Sequence, residues 1–199
     1  MRTDGKGITS LVTFYGCPLK CQFCLNPQCH RDISEDFYLQ ADELYNRVAI
    51  DELYFLATGG GITFGGGEPL LYSEYILNVL HLGAKKWNVT IETSLNVSYK
   101  QLKVLLSYAN ELIVDIIDIN PQIYKSYTQS DNNAVIENLK IMAGIGFANN
   151  VTIRIPRIKG YNCDSDTLKS KMFLQRLGYS KFDFFDYKID IADEREREM

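Results

Sequence analysis

Three of the five cysteines, Cys17, Cys21 and Cys24, follow a Cys-x3-Cys-x2-Cys spacing, and a fourth, Cys29, comes five residues later. Soft thiolates at this density suit a metal centre. Structural zinc takes four nitrogen or sulfur ligands, usually in two separated pairs; no second pair follows here, and His30 and His81 lack finger spacing. A cubane iron–sulfur cluster normally takes four cysteines. Three would leave one iron without a protein ligand, open to a small molecule. Cys29 is the alternative fourth ligand, and with it the cluster would be closed and would serve only as an electron carrier. Cys163 stands alone in the stretch Lys159-Gly160-Tyr161-Asn162-Cys163-Asp164 and is assigned no role.

The second chemical feature is Gly65-Gly66-Gly67-Glu68-Pro69. It is neither G-x-G-x-x-G nor a P-loop, since no Lys-Ser/Thr follows. Glycines here let a backbone approach a ligand and leave N–H and C=O groups available. Glu68 is out of place in a phosphate cradle but compatible with an ammonium group. Beside an open-coordination cluster, the loop points to a ligand with an α-amino acid end.

The elements that must position these loops alternate. Ile8–Tyr15 reads as a buried strand, Asp36–Thr58 as a helix with Leu39, Leu44, Val48, Leu53 and Leu56 at helical spacing, and Ile62–Phe64 as a short strand. Then follow a helix over 73–82, a strand over 88–93, a helix from Ser98 through Tyr108, and a strand over 112–119. The last elements are a helix capped by Asn132 or Asn133, a strand over 151–155, a helix over 166–177 and a strand over 182–186. Six strands alternating with helices imply parallel pairing and right-handed crossovers. The fold class is α/β, as an open doubly wound sheet or a partial (β/α)6 barrel. A complete barrel needs roughly 250 residues, so 199 would leave one side open. In both architectures the cysteine and glycine loops, each following a strand, land at the C-terminal strand ends.

Composition narrows the partners. The length predicts one domain over 1–199, with a charged tail from about 190 to 199 that is expected to be solvated. Net charge is −4 and no more than two basic residues adjoin, at Lys85-Lys86, which argues against nucleic acid. No apolar run approaches the ~18 residues of a membrane span, and the first residues do not form a secretory leader. The chain is read as cytoplasmic.

Taken together, these residues resemble the radical S-adenosylmethionine (radical SAM) superfamily, whose signature is C-x3-C-x-Φ-C with an aromatic Φ, here Phe23, and whose glycine motif corresponds to Gly66-Gly67-Glu68-Pro69. The likeness is greater to the branch that activates glycyl radical enzymes, of the pyruvate formate-lyase type. Asp4-Gly5-Lys6-Gly7-Ile8 is similar to its D-G-P-G opening, with Lys6 in place of Pro, and Gly61 to Leu70 continue the likeness. The resemblance implies a partial (β/α)6 barrel in which Cys17, Cys21 and Cys24 hold a 4Fe-4S cluster. The amino and carboxylate groups of S-adenosyl-L-methionine chelate the open iron, and Gly66, Gly67 and Glu68 bind the amino group. It also implies a monovalent-cation site near SAM involving Glu92, Thr93 and Asp115, and an Arg154 that faces SAM. Two departures stand out: Ile117 replaces a Lys that contacts the SAM carboxylate, and Phe185-Asp186-Tyr187-Lys188 replaces a Pro-Tyr-His.

The activity so implied is reductive cleavage of SAM to a 5′-deoxyadenosyl radical that abstracts hydrogen from a glycine of a partner glycyl radical enzyme, with an electron donor such as flavodoxin. A precursor peptide or small molecule is the alternative substrate. A non-catalytic iron–sulfur carrier is the third reading.

Overall fold

A computed structural model describes residues 5–31 and 38–187; Asp4, the start of the first expected helix, Lys188 and the charged tail lie outside the described residues. The strands are β1 (Thr9–Phe14), β2 (Gly61–Gly66), β3 (Asn88–Thr93), β4 (Glu111–Asp115), β5 (Val151–Arg157) and β6 (Lys181–Asp186). The helices are α1 (Ala41–Ala49), α2 (Glu52–Thr58), α3 (Ser73–His81), α4 (Tyr99–Leu105), α5 (Pro121–Thr128), α6 (Asn133–Gly144) and α7 (Asp164–Arg176). The strand order is β1-β2-β3-β4-β5-β6, which does not close on itself, and the pairs β1–β2, β2–β3 and β5–β6 are parallel. The α/β class expected from the alternation is observed, and the unclosed sequential strand order is that of the partial (β/α)6 barrel which the resemblance implies, not of a doubly wound sheet.

The chain divides into two compact units, one of residues 1–17, 28–93 and 97–113, the other of 18–27, 94–96 and 114–199. In the first, β2 is the central strand: Ile62, Thr63 and Phe64 are fully buried. Trp87, just before β3, stacks on Tyr45 of α1 and meets Phe55 of α2 edge-on, so one aromatic cluster ties both helices to the sheet. In the second unit β5 supplies Val151, Ile153 and Ile155, and Tyr179 reaches from before β6 to donate to the carbonyl of Leu139 on α6.

Several boundaries differ from expectation for identifiable reasons. The helix expected through Thr58 is two. Asp51 at φ −90°, ψ 3° interrupts it and accepts a bond from Ser10 Oγ, and the reoriented α2 buries Phe55 while leaving Leu53 and Leu56 exposed. β1 is an end strand, so Leu11 is half exposed and the expected full burial does not occur. The strand expected to reach residue 119 stops at Asp115 because Ile117 adopts a left-handed conformation, φ 56°, costly for a β-branched residue. Helix α5 had not been expected; its signal was Asn120-Pro121, where Asn120 Oδ1 accepts from Gln122 N–H and proline occupies the first turn.

Strand spacing makes two glycines unequal. A Cβ on Gly61 would stand 2.2 Å from the Asn88 carbonyl oxygen, whereas one on Gly144, at the end of α6, would meet nothing within 4 Å. Gly61→Ala should lower stability by about 2–3 kcal/mol, read as a lower urea midpoint, while Gly144→Ala should leave it unchanged or raise it by up to about 1 kcal/mol.

Candidate functional site

In the first unit the glycine loop is bound to the strand that leads into the cysteines. Gly67 N–H donates to the carbonyl of Phe14 at 2.9 Å, Glu68 N–H to that of Gly16 at 2.8 Å, and Gly16 N–H to that of Cys29 at 2.7 Å. Side chains would prevent this approach. A Cβ on Gly67 would lie 2.2 Å from Gly16 O, and one on Gly66, at φ +92°, would lie 2.7 Å from Thr13 Cβ. These glycines therefore have a structural task beside the ligand contact expected of them. They admit the backbone of residues 13–16; the N–H groups of Gly67 and Glu68 are engaged, and the Glu68 carbonyl accepts from Leu71 N–H at 3.2 Å.

Glu68 is fully buried. Its Oε1 accepts from Thr93 Oγ1 at 2.7 Å and from Leu70 N–H at 3.2 Å, so it also caps the short turn Pro69–Tyr72. Two residues expected in different roles, Glu68 and Thr93, thus meet in one buried contact. Glu92 lies beside Gly65: its Oε2 is 3.2 Å from where a Cβ on Gly65 would be.

The second unit holds Cys21 and Cys24, while Cys17 belongs to the first. The backbone beside Cys21 is secured by the C-terminal end of α5. Lys20 N–H donates to the carbonyl of Thr128 at 2.9 Å and Gln22 N–H to that of Tyr127 at 3.1 Å, while Ser130 Oγ donates to the carbonyl of Pro18. Helix-end carbonyls lack intrahelical partners, and here the loop supplies them. Phe23 packs against Tyr127 and Tyr161, and Tyr187 Oη donates to its carbonyl. Burial pushes the Tyr187 phenol up to about 12. Also in this unit, Arg154 Nη1 stands 3.8 Å from Asp115 Oδ2.

Sequence reasoning missed Asp118, 2% exposed, which accepts bonds from Asn120 N–H, Asn162 Nδ2 and Ser170 Oγ. It missed the anchoring role of Tyr127 and Thr128 too, because α5 itself went unread. Asp118 sits in an apolar stretch, Ile116-Ile117-Asp118-Ile119, where an acid needs partners; that was its signal.

The donor set suits a cluster. None of the five cysteines is in a disulfide, and Cys17, Cys21 and Cys24 are partly exposed, whereas Cys29 is buried in the turn Pro27–His30. Backbone bonds hold Lys20 and Gln22, the residues on either side of Cys21, and thiolates are the usual ligands of iron–sulfur clusters.

Comparison with known proteins gives the class. Residues 11–169 match the Radical SAM superfamily, and the chain belongs to it; the cofactors of that family are a 4Fe-4S cluster and SAM. The chain is 31% identical over 143 residues to the pyruvate formate-lyase-activating enzyme of Clostridium pasteurianum, covering 72% of this chain and 60% of that protein. It is 25% identical over 229 residues to the (2S)-3-sulfopropanediol dehydratase activating enzyme of Klebsiella oxytoca, covering 84% and 71%. Among solved structures, Streptococcus suis SuiB bound to S-adenosylmethionine has a TM-score of 0.67 at 19% identity, covering 92% of this chain and 41% of that one, a likeness of fold. Among the described residues no helix is long and apolar enough to cross a membrane.

Two outcomes follow. Gly67→Ala should break the bonds to Phe14 and Gly16 and reduce iron bound on reconstitution at least about tenfold, measured as iron per chain. Burial holds the Asp118 carboxyl above the usual carboxylate range, opposed by its hydrogen bonds. A raised carboxyl supports folding fully below its unfolded value, about 4, and loses that contribution as pH rises through its folded value. The stability of the wild type minus that of Asp118→Asn, from denaturant unfolding, should therefore fall as pH rises through that window.

Proposed function

We propose that this chain, with residues 1–199 acting as one radical SAM core, is an activase that removes a hydrogen atom from a glycine of a partner enzyme. The observation that carries the reading is the backbone tie between the glycine loop and the entry to the cysteine loop, in a chain related to named activating enzymes. When bound, a 4Fe-4S cluster supplies the electron that cleaves SAM to methionine and a hydrogen-abstracting 5′-deoxyadenosyl radical.

The chain's own residues have positional tasks. Cys17, Cys21 and Cys24 would hold three irons and leave the fourth for SAM. Gly66, Gly67 and Glu68 would meet the ammonium group, the glycines through carbonyl oxygens, since the N–H groups of Gly67 and Glu68 are engaged. Arg154, little exposed and beside Asp115, would hold a fixed positive charge toward SAM, which matters because Ile117 offers no cation for the carboxylate. Glu92, Thr93 and Asp115 would contribute to a monovalent-cation site. Glycine suits the reaction as a target because it has no side chain to obstruct approach. A small electron donor such as flavodoxin and a cytoplasmic location complete the reading.

Reconstituted, reduced protein should convert SAM to 5′-deoxyadenosine, and Cys17→Ala should abolish the product by chromatography. With its partner enzyme present, a glycyl-radical EPR doublet should form. SAM cleavage that instead modifies a peptide, with no doublet, would assign the chain to precursor-peptide chemistry.

A further inference from the structure

Ile117, whose left-handed backbone ends β4, is followed directly by the buried carboxylate of Asp118. Oδ1 of Asp118 accepts from Asn120 N–H at 2.9 Å and from Ser170 Oγ at 3.4 Å; Oδ2 accepts from Asn162 Nδ2 at 3.2 Å. These donors are neutral and come from three separate segments: the loop after β4, helix α7 and the loop after β5. Asn162 extends the network, since its Oδ1 accepts from Ile158 N–H at 2.7 Å and its Nδ2 also donates to the Pro156 carbonyl at 3.0 Å. The whole turn 156–162 is thereby closed around one amide whose remaining partner is Asp118.

The residue before Asn162 in that turn touches the cysteine loop. Tyr161 meets Phe23 edge-on, with centroids 6.2 Å apart at 83°, and Tyr127 at 5.0 Å and 79°. Phe23 lies between Cys21 and Cys24. We propose that Asp118 is a positioning residue for the cysteine loop: through Asn162 it fixes the turn carrying Tyr161, and Tyr161 fixes Phe23. The proposal rests on the radical SAM reading for its consequence in catalysis, while the mechanical link can be tested in metal-free protein. Charge is what makes Asp118 suited to this. A carboxylate accepts from several donors at once, and its bond to Asn162 is charge-assisted. An amide at the same place would turn an N–H toward donors.

The experiment compares wild type, Asp118→Asn and Tyr161→Leu. In metal-free protein, amide hydrogen exchange across residues 20–24 should quicken in both single variants. In reconstituted protein both should change the EPR signal of the reduced cluster with SAM and raise KM for SAM about tenfold with a smaller change in kcat, in the range of losses seen on removing groups that orient metal ligands. Loss of thermal stability in Asp118→Asn with loop exchange, EPR signal and KM unaltered would overturn the proposal, as would a Tyr161→Leu protein indistinguishable from wild type. Should the wild type bind a cluster but fail to cleave SAM, the activity reading falls, while the exchange data still decide the link to Phe23.

Discussion

The hydrogen bonds from Gly67 and Glu68 N–H to the carbonyls of Phe14 and Gly16 are the constraint on which the site depends. They extend the β1–β2 pairing, which runs from Thr9–Gly61 to Phe14–Gly66, past the ends of both strands. The chain therefore enters the cysteine loop with its direction already set. Only glycine permits this, because a side chain at 67 would occupy the space of Gly16's carbonyl. A motif that reads as a ligand cradle thus also has a purely mechanical reason for its composition. The buried Glu68, held by Thr93 and capping the next turn, fixes the far side of the loop to β3.

The other unit secures its portion of the cysteine loop by different means. Helix α5 ends at Thr128, Gln129 is left-handed at φ 61°, and two terminal carbonyls accept the N–H groups on either side of Cys21. Aromatic contacts from Tyr127 and Tyr161, with a hydroxyl bond from Tyr187, immobilise Phe23. Backbone amides and aromatic rings hold the loop, so the thiols need not serve as structural groups. That division suits a centre whose ligands must remain available for metal.

The sequence made the alternation of strands and helices readable, since Leu112-Ile113-Val114 and Ile62-Thr63-Phe64 are apolar runs typical of covered parallel strands. The cysteine spacing and the glycine loop were equally readable, because their chemistry depends on residue type and separation. Other features were not legible because tertiary contacts decide them. Leu53 and Leu56 share helical spacing with Leu44 and Val48, but the break at Asp51 rotates them outward. Helix α5 has the polar, tyrosine-rich sequence PQIYKSYT, and periodicity alone does not separate it from a loop. Asp118 and Asn162 are 44 residues apart, and only folding brings them together.

The account centres on a cluster held by three cysteines with one iron left for SAM. The most direct measurement is the Mössbauer spectrum of iron-labelled, reconstituted protein before and after SAM is added. One iron site of the four should change its isomer shift toward higher coordination while the other three stay as they were. Four sites that keep thiolate-type parameters in the presence of SAM would contradict it, and Cys29 would then be the ligand closing the cluster.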